Sequence, residues 1–383
     1  LKNLLILIFS FLIQNTALAY TQFISQGYTS CSTCHYNPYG NGPLNDYGRV
    51  IGASMLSSRD FYNKDKSEES IAENTGFLYS NIKKSNPYIK PSVNYRGLWY
   101  KSSLNTKDEQ EKYLTMFLSA NVAVQSKDKK TFAVIEAGYI PNNNQADANR
   151  ESEVRSREHY IGHQLNESTG VYLGLMDKVF GLRVPDHNLY SRSTTQNTMN
   201  DQSHSVLLNY KDNKFEVGLQ GLFGNLSQDA DLRQKGFSSK FEYFFKKNLG
   251  ASFSYLSTNN SFNFFSAKAV DLRVGVSKKS TLMLELGETQ KEVIAGKIKT
   301  SSRYLTMQNY LNLRRGLYSL LTLEYLDSNI NEKGHILRAG PGVQWFPING
   351  VEVRVDLYNK KSFSSIASNE DVWDLAGQLH LWF

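Results

Sequence analysis

The sequence predicts an all-β chain: a transmembrane antiparallel β-barrel of about sixteen strands whose lumen is plugged by a small N-terminal segment. Three observations predict it. Aromatic residues are abundant, with 23 Tyr and 21 Phe against only 8 Pro. Apolar residues alternate with polar ones and do not gather into the runs that a soluble domain of this length needs for its core. Beyond the N-terminal stretch, no segment approaches the ~20 apolar residues of a spanning helix.

Residues 1–19 read as a secretory signal, with Lys2 as the charge, Leu4 to Ile13 as the apolar run, and Ala17-Leu18-Ala19 as a small-x-small cleavage site. The mature chain is expected to begin at Tyr20. Residues 20–75 form a turn-rich segment punctuated by Gly27, Gly40, Gly42, Pro43, Gly48 and Gly52. A piece this small needs a metal, a cofactor or a partner surface to complete its core. Within it lies Cys31-Ser32-Thr33-Cys34-His35, which contains the only two cysteines of the chain. CxxCH is the spacing that attaches one haem c covalently: two thiols meet the two vinyl groups, and the next residue offers an imidazole to the iron. A local Cys31–Cys34 disulfide and half of a zinc site are the alternatives. For zinc a second ligand pair is missing.

Lys64 to Glu73 is charged and reads as a short helix or a linker. Residues 76–383 then form the barrel. The alternating segments are 86–101, 111–125, 131–140, 152–165, 169–176, 203–210, 213–223, 235–246, 248–257, 261–277, 279–289, 301–313, 316–327, 334–346, 350–359 and 371–383. Each is close to the ~9–11 residues that a tilted strand needs, and the count is even. In the last segment Trp373, Leu375, Gly377, Leu379, Leu381 and Phe383 share one face, and Asp374, Gln378 and His380 share the other. Val351, Val353, Val355 and Leu357 likewise oppose Glu352, Arg354 and Asp356. Asp212-Asn213 and Asn349-Gly350 mark hairpins. The longest non-strand stretch, 177–202, either folds into the lumen or faces outside. A soluble β-sandwich or helical repeat would need core residues that this chain lacks. The formal net charge of +7 is spread along the sequence, with no basic block of the kind that binds nucleic acid.

His35 is the expected proximal iron ligand. The sixth position is open: Met55 is the nearest thioether, while His159 and His163 share a strand face with Arg155 and Arg157 that is expected to be lumenal, and His187 lies in the long loop. Arg49 suits a haem propionate, since its fork matches a carboxylate. Tyr28, Tyr36, Tyr39 and Tyr47 are candidates to pack on the porphyrin faces. No Ser/His/Asp set, phosphate loop or carboxylate pair demands hydrolysis.

At CSTCHYNPYGNGPLNDYGR the chain resembles the outer-membrane monohaem c-type cytochrome–porin fusions of iron-oxidising bacteria, through Cys31, Cys34, His35, Pro43, Leu44, Tyr47, Gly48 and Arg49. Tyr47 replaces the usual Phe of those proteins, and VIGAS follows Arg49 in place of a Phe-Lys-Leu continuation. The resemblance implies electron transfer across the bacterial outer membrane between an extracellular donor or acceptor, ferrous iron among them, and a periplasmic c-type cytochrome or other carrier. An extracellular iron oxidoreductase is one form this takes. The rival expectation is a diffusion porin whose haem segment is a structural or sensory plug.

Overall fold

The computed structural model describes residues 21–40, 42–60, 64–140, 153–184, 186, 188–277, 280–364 and 369–383. The expected signal, 1–19, and His187 lie outside the described residues. Sixteen antiparallel strands close into one barrel. They are β1 (Ile89–Ser102), β2 (Gln110–Gln125), β3 (Thr131–Ile140), β4 (Glu153–Gln164), β5 (Thr169–Met176), β6 (Ser203–Lys211), β7 (Phe215–Gly224) and β8 (Lys235–Lys246). The second half comprises β9 (Leu249–Asn259), β10 (Asn263–Ser277), β11 (Ser280–Val293), β12 (Ile298–Arg314), β13 (Leu317–Asp327), β14 (Gly334–Trp345), β15 (Val351–Ser364) and β16 (Glu370–Trp382). β16 returns to β1, with His380 opposite Arg96. Every expected segment is a strand, and boundaries move by a few residues.

The burial pattern is the inverse of a water-soluble protein. On β8, Ser238, Lys240 and Glu242 are buried while Phe237, Phe241 and Tyr243 are exposed. On β15, Glu352, Arg354 and Asp356 face inward and Val355 outward, and on β16 Asp374 and His380 face inward while Trp373 and Leu379 face out. Apolar side chains meet lipid, polar ones line the lumen, and closure leaves no edge with unpaired backbone groups.

One mouth is built from short turns: 126–130, 165–168, 212–214, 247–248, 315–316 and 346–350. In the 212–214 turn the Asp212 carboxylate accepts from the backbone of Lys214 at 2.6 Å and of Phe215 at 2.8 Å, which fixes the hairpin. The other mouth carries longer loops, among them 103–109, 177–202 and 225–234. In outer-membrane barrels the short turns are periplasmic and the long loops extracellular.

Two segments occupy the lumen. Residues 21–40 and 42–60 cross its periplasmic half, where Phe23, Ile24 and Leu56 share an apolar cluster with Tyr310, Tyr318 and Phe346 of the barrel. Gln22 donates to Gln344 at 2.7 Å, and the backbone of Ser58 donates to Phe346 at 2.8 Å. Burying each large apolar side chain contributes about 1.5–3 kcal/mol, so the barrel supplies the core that this segment cannot build alone. Behind it, Ser67 caps a helix over Glu68–Glu73.

Loop 177–202 enters from the extracellular side and folds inward. Apart from a short helix over Tyr190–Thr194, this chain has no backbone ladder in the lumen, so side chains of the strands satisfy it. Val179 donates to Gln220 at 2.8 Å, Leu182 to Glu285 at 2.6 Å and Tyr190 to Glu324 at 2.6 Å. Lys240 donates to the Gly181 carbonyl at 2.7 Å.

The histidine face on β4 departs from expectation. The β3–β4 ladder is bulged beside Glu136 and Ala137, so that Arg157 and Glu158 are both buried. Beyond the bulge Tyr160 and Gly162 point inward, and His159, Ile161 and His163 turn outward. His163 meets Thr131 at 2.8 Å, and His159 Nε2 lies 3.2 Å from His204 Nε2. One extra residue reverses the faces of a strand, which removes both histidines from the lumen.

Candidate functional site

Cys31–Thr33 form a single 3-10 turn, in which the N–H groups of Cys34 and His35 donate to the Cys31 carbonyl at 3.0 and 2.9 Å. His35 pairs with Leu44 in an isolated bridge. Asn45 then joins the turn to the helix Asp46–Ile51. Its backbone donates to the Cys34 carbonyl at 2.9 Å, its amide to the Thr33 carbonyl at 3.1 Å, and its side-chain oxygen caps the helix at Gly48 N, 2.8 Å. The cap is legible as Asn followed by an acidic first turn, although the sequence reading did not single out Asn45.

Cys31 and Cys34 are not joined to each other in a disulfide. Burial pushes both upward in pKa, and burial together with neighbouring Cys31 takes Cys34 to about 11. A redox or nucleophilic CxxC needs the reverse, a thiolate stabilised by its surroundings.

Cys31, Cys34 and His35 open on a lumenal cavity of about 300 Å³, the lower end of the size range for cofactor and small-molecule sites. Residues 23–56 line one part of it, and Arg183, Val184, Arg192 and Met199 of the inward loop line another. Tyr28 and Tyr39 reach the cavity. Tyr36 packs instead on Phe132, with ring centroids 5.3 Å apart, and Tyr47 is largely exposed with its hydroxyl 2.7 Å from that of Tyr28.

Six arginines line this cavity: Arg49, Arg96, Arg157, Arg183, Arg192 and Arg273. Arg183 pairs with Asp177, and Arg273 with Glu242. Arg49 donates to the Pro91 carbonyl at 2.6 Å, Arg157 to the Met199 carbonyl at 2.8 Å, and Arg192 to the carbonyls of Asn197 and Val184 at 2.9 and 3.0 Å. Among the described residues, none of these last three has a carboxylate at ion-pair distance. The Arg49 Nε is buried without a hydrogen-bond partner. Burial and the adjacent Arg183 lower Arg192 to about 10, still cationic at neutral pH. The wall therefore favours an anionic group. A haem placed on Cys31 and Cys34 would bring two propionates to such a wall, and the donor set fits it.

Met55 does not line the cavity. The chain over Gly52–Leu56 makes a π-helical turn that packs Met55 against the apolar cluster of Phe23, Tyr318 and Phe346. Met199 lines it instead. His380 also reaches the cavity, but its Nδ1 lies 3.0 Å from Glu352 and its Nε2 2.8 Å from Asn94. Arg157 is lumenal as its strand face predicts, but Arg96, Arg273 and Met199 are not legible in the sequence, because no local pattern joins residues brought together only by closure of the barrel.

The fold is that of a porin-like β-barrel of the bacterial outer membrane. The loop-L8 deletion mutant of OmpT from Vibrio cholerae superposes with a TM-score of 0.60 at 8% identity, over 77% of this chain and 99% of that one. The outer-membrane channel DcaP of Acinetobacter baumannii gives a TM-score of 0.56 at 13% identity, over 77% and 97%. An anion-selective porin from Comamonas acidovorans gives 0.55 at 9%, over 77% and 99%. No protein-family model matches the sequence, and no curated protein matches it.

Proposed function

We propose that this barrel is an outer-membrane c-type cytochrome of porin architecture. Cys31 and Cys34 hold one haem through thioethers, His35 ligates its iron, and electrons pass between an extracellular donor or acceptor, such as ferrous iron, and a periplasmic carrier. The observation that carries the reading is the CxxCH turn opening on an arginine-lined cavity within the lumen. When bound, haem supplies a one-electron couple inside a hydrocarbon layer ~30 Å thick. The chain does the rest. Arg49, Arg157 and Arg192 would offer donors to the propionates, and Met199, which lines the cavity where Met55 does not, would offer its thioether to the iron. The plug and loop 177–202 narrow the water path on either side.

A diffusion porin with a structural or sensory plug is the second reading, and the likeness to channel proteins supports it directly. Haem staining of the purified chain, with Cys31→Ala/Cys34→Ala as the control, decides whether the pigment is covalent. Planar-bilayer conductance and reduction by ferrous iron or a small cytochrome then separate the two. Free ion passage through a protein whose haem stays oxidised would leave only the porin.

A further inference from the structure

Charge is distributed unequally between the two mouths. On the short-turn side, Lys127, Lys129 and Lys130 crowd one turn around a single Asp128, and Glu167 stands in the turn 165–168 that follows. Lys214 shares its hairpin with Asp212, whose carboxylate is taken up by the turn's own backbone, and Lys246 ends β8 with Lys247 next to it in the turn. All six lysines are exposed. Among the described residues, no carboxylate lies within ion-pair distance of any of them. The long-loop side mixes signs: Lys107 stands beside Asp108 and Glu109, Arg233 near Asp229 and Asp231, and Lys333 beside Glu332.

This basic arc sits next to the attachment turn. Lys211, at the end of β6, reaches Thr33 with its Nζ at 3.5 Å. A Cβ placed on Gly27 would lie 3.1 Å from Cβ of Lys247. Five of the lysines occupy turn tips beyond the strands that cross the hydrocarbon, and Lys246 is the terminal residue of β8, so a body approaching along the barrel axis meets them. Clustered charge of one sign raises encounter rates with the opposite sign by about 10–10³ and is screened by salt.

We propose that this arc, the turns at 126–130, 212–214 and 247–248, is the docking surface for an acidic periplasmic protein. That the docked protein is the electron carrier rests on the reading above; the docking itself rests on the charge. The full chain is placed in phosphatidylcholine nanodiscs and titrated with a fluorescently labelled acidic monohaem c-type cytochrome at low ionic strength, with a basic cytochrome c as counter-probe. K127E/K129E/K130E and K214E/K246E/K247E are each expected to weaken binding of the acidic probe by about tenfold or more. The difference should vanish near 1 M salt, where the Debye length is about 3 Å. The basic probe should gain from the same changes.

Unchanged binding in both triple variants overturns the proposal, as does an equal loss from the opposite-mouth control K107E/K333E. A change confined to retention on phosphatidylglycerol vesicles assigns the lysines to lipid headgroups and also overturns it. Heat-modifiable migration confirms that each variant is a folded barrel. Haem staining of the wild type separates the two ideas: binding by a wild type found to lack haem ends the electron-transfer reading and leaves the docking surface standing, while in a haem-loaded wild type Cys31→Ala/Cys34→Ala should lose the pigment and keep the binding.

Discussion

Asp186 of the inward loop and Arg354 of β15 meet at 3.0 Å inside the lumen, 168 residues apart in sequence. The same guanidinium reaches Asp356 at 3.1 Å. Removing one partner of a buried pair costs about 3–5 kcal/mol, whereas replacing both with apolar groups costs far less. Asp186→Ala should therefore release this part of the loop and raise the conductance of single barrels in planar bilayers. Asp186→Leu/Arg354→Met/Asp356→Leu, which leaves no member of the trio buried without a partner, should stay near the wild-type level. Equal conductance in all three would mean that this pair does not hold the constriction.

Met199 gives the second prediction. In the haem-loaded protein, Met199→Leu keeps the volume and removes the sulfur, so the weak long-wavelength charge-transfer band of thioether-ligated ferric haem should disappear and the reduction potential should fall. Met55→Leu should change neither. If the spectrum instead responds to His380→Ala and ignores Met199→Leu, the ligand lies on β16.

Gly48 packs against the Cys34 carbonyl so closely that a Cβ would overlap it. The conformation there is ordinary helix, and the need for glycine is one of space. Gly48→Ala should push the Asp46–Ile51 helix off the CxxCH turn at a cost of about 1–3 kcal/mol. Haem incorporation should drop severalfold, with heat-modifiable migration of the barrel retained. Normal incorporation would show that the helix relaxes without disturbing the turn.

The barrel was legible because lipid and lumen impose a period of two on every strand. Glu352, Arg354 and Asp356 against Val351, Val353 and Val355 need no distant information to be assigned to faces. The histidines of β4 fail the same test because a bulge at Arg157 shifts the period by one, and nothing in REHYIGH announces it. Met55 is the thioether nearest His35 along the chain, yet a π-helical turn packs it against the apolar cluster that contains Phe346 and Tyr318. The fate of loop 177–202 was not legible either. Its anchors, Glu285, Glu324 and Arg354, stand on three strands far away in sequence and become neighbours only when the cylinder closes.

Glu68 fixes the chain that leaves the plug. It pairs with Arg59 at 2.5 Å and with Arg315, in the β12–β13 turn, at 3.0 Å. Partial burial alone would raise its carboxyl, but the hydrogen bonds and charges of Arg315 and Arg59 outweigh it and hold the pKa below the usual value of 4.5. A carboxylate depressed in the folded state adds stability above its unfolded pKa and loses it as pH falls through the folded value. The half-exposed site limits the contribution to about 0.2–1 kcal/mol, too little to unfold a barrel but enough to loosen a tether. Pepsin cleavage between Arg59 and Glu73 should therefore accelerate as pH falls from about 5 to about 3, beyond the enzyme's own pH dependence measured on an unfolded substrate. Glu68→Gln should show the fast rate at both values. If wild type and Glu68→Gln are cut equally at the higher pH, the carboxylate is not what holds the Glu68–Glu73 helix to the barrel.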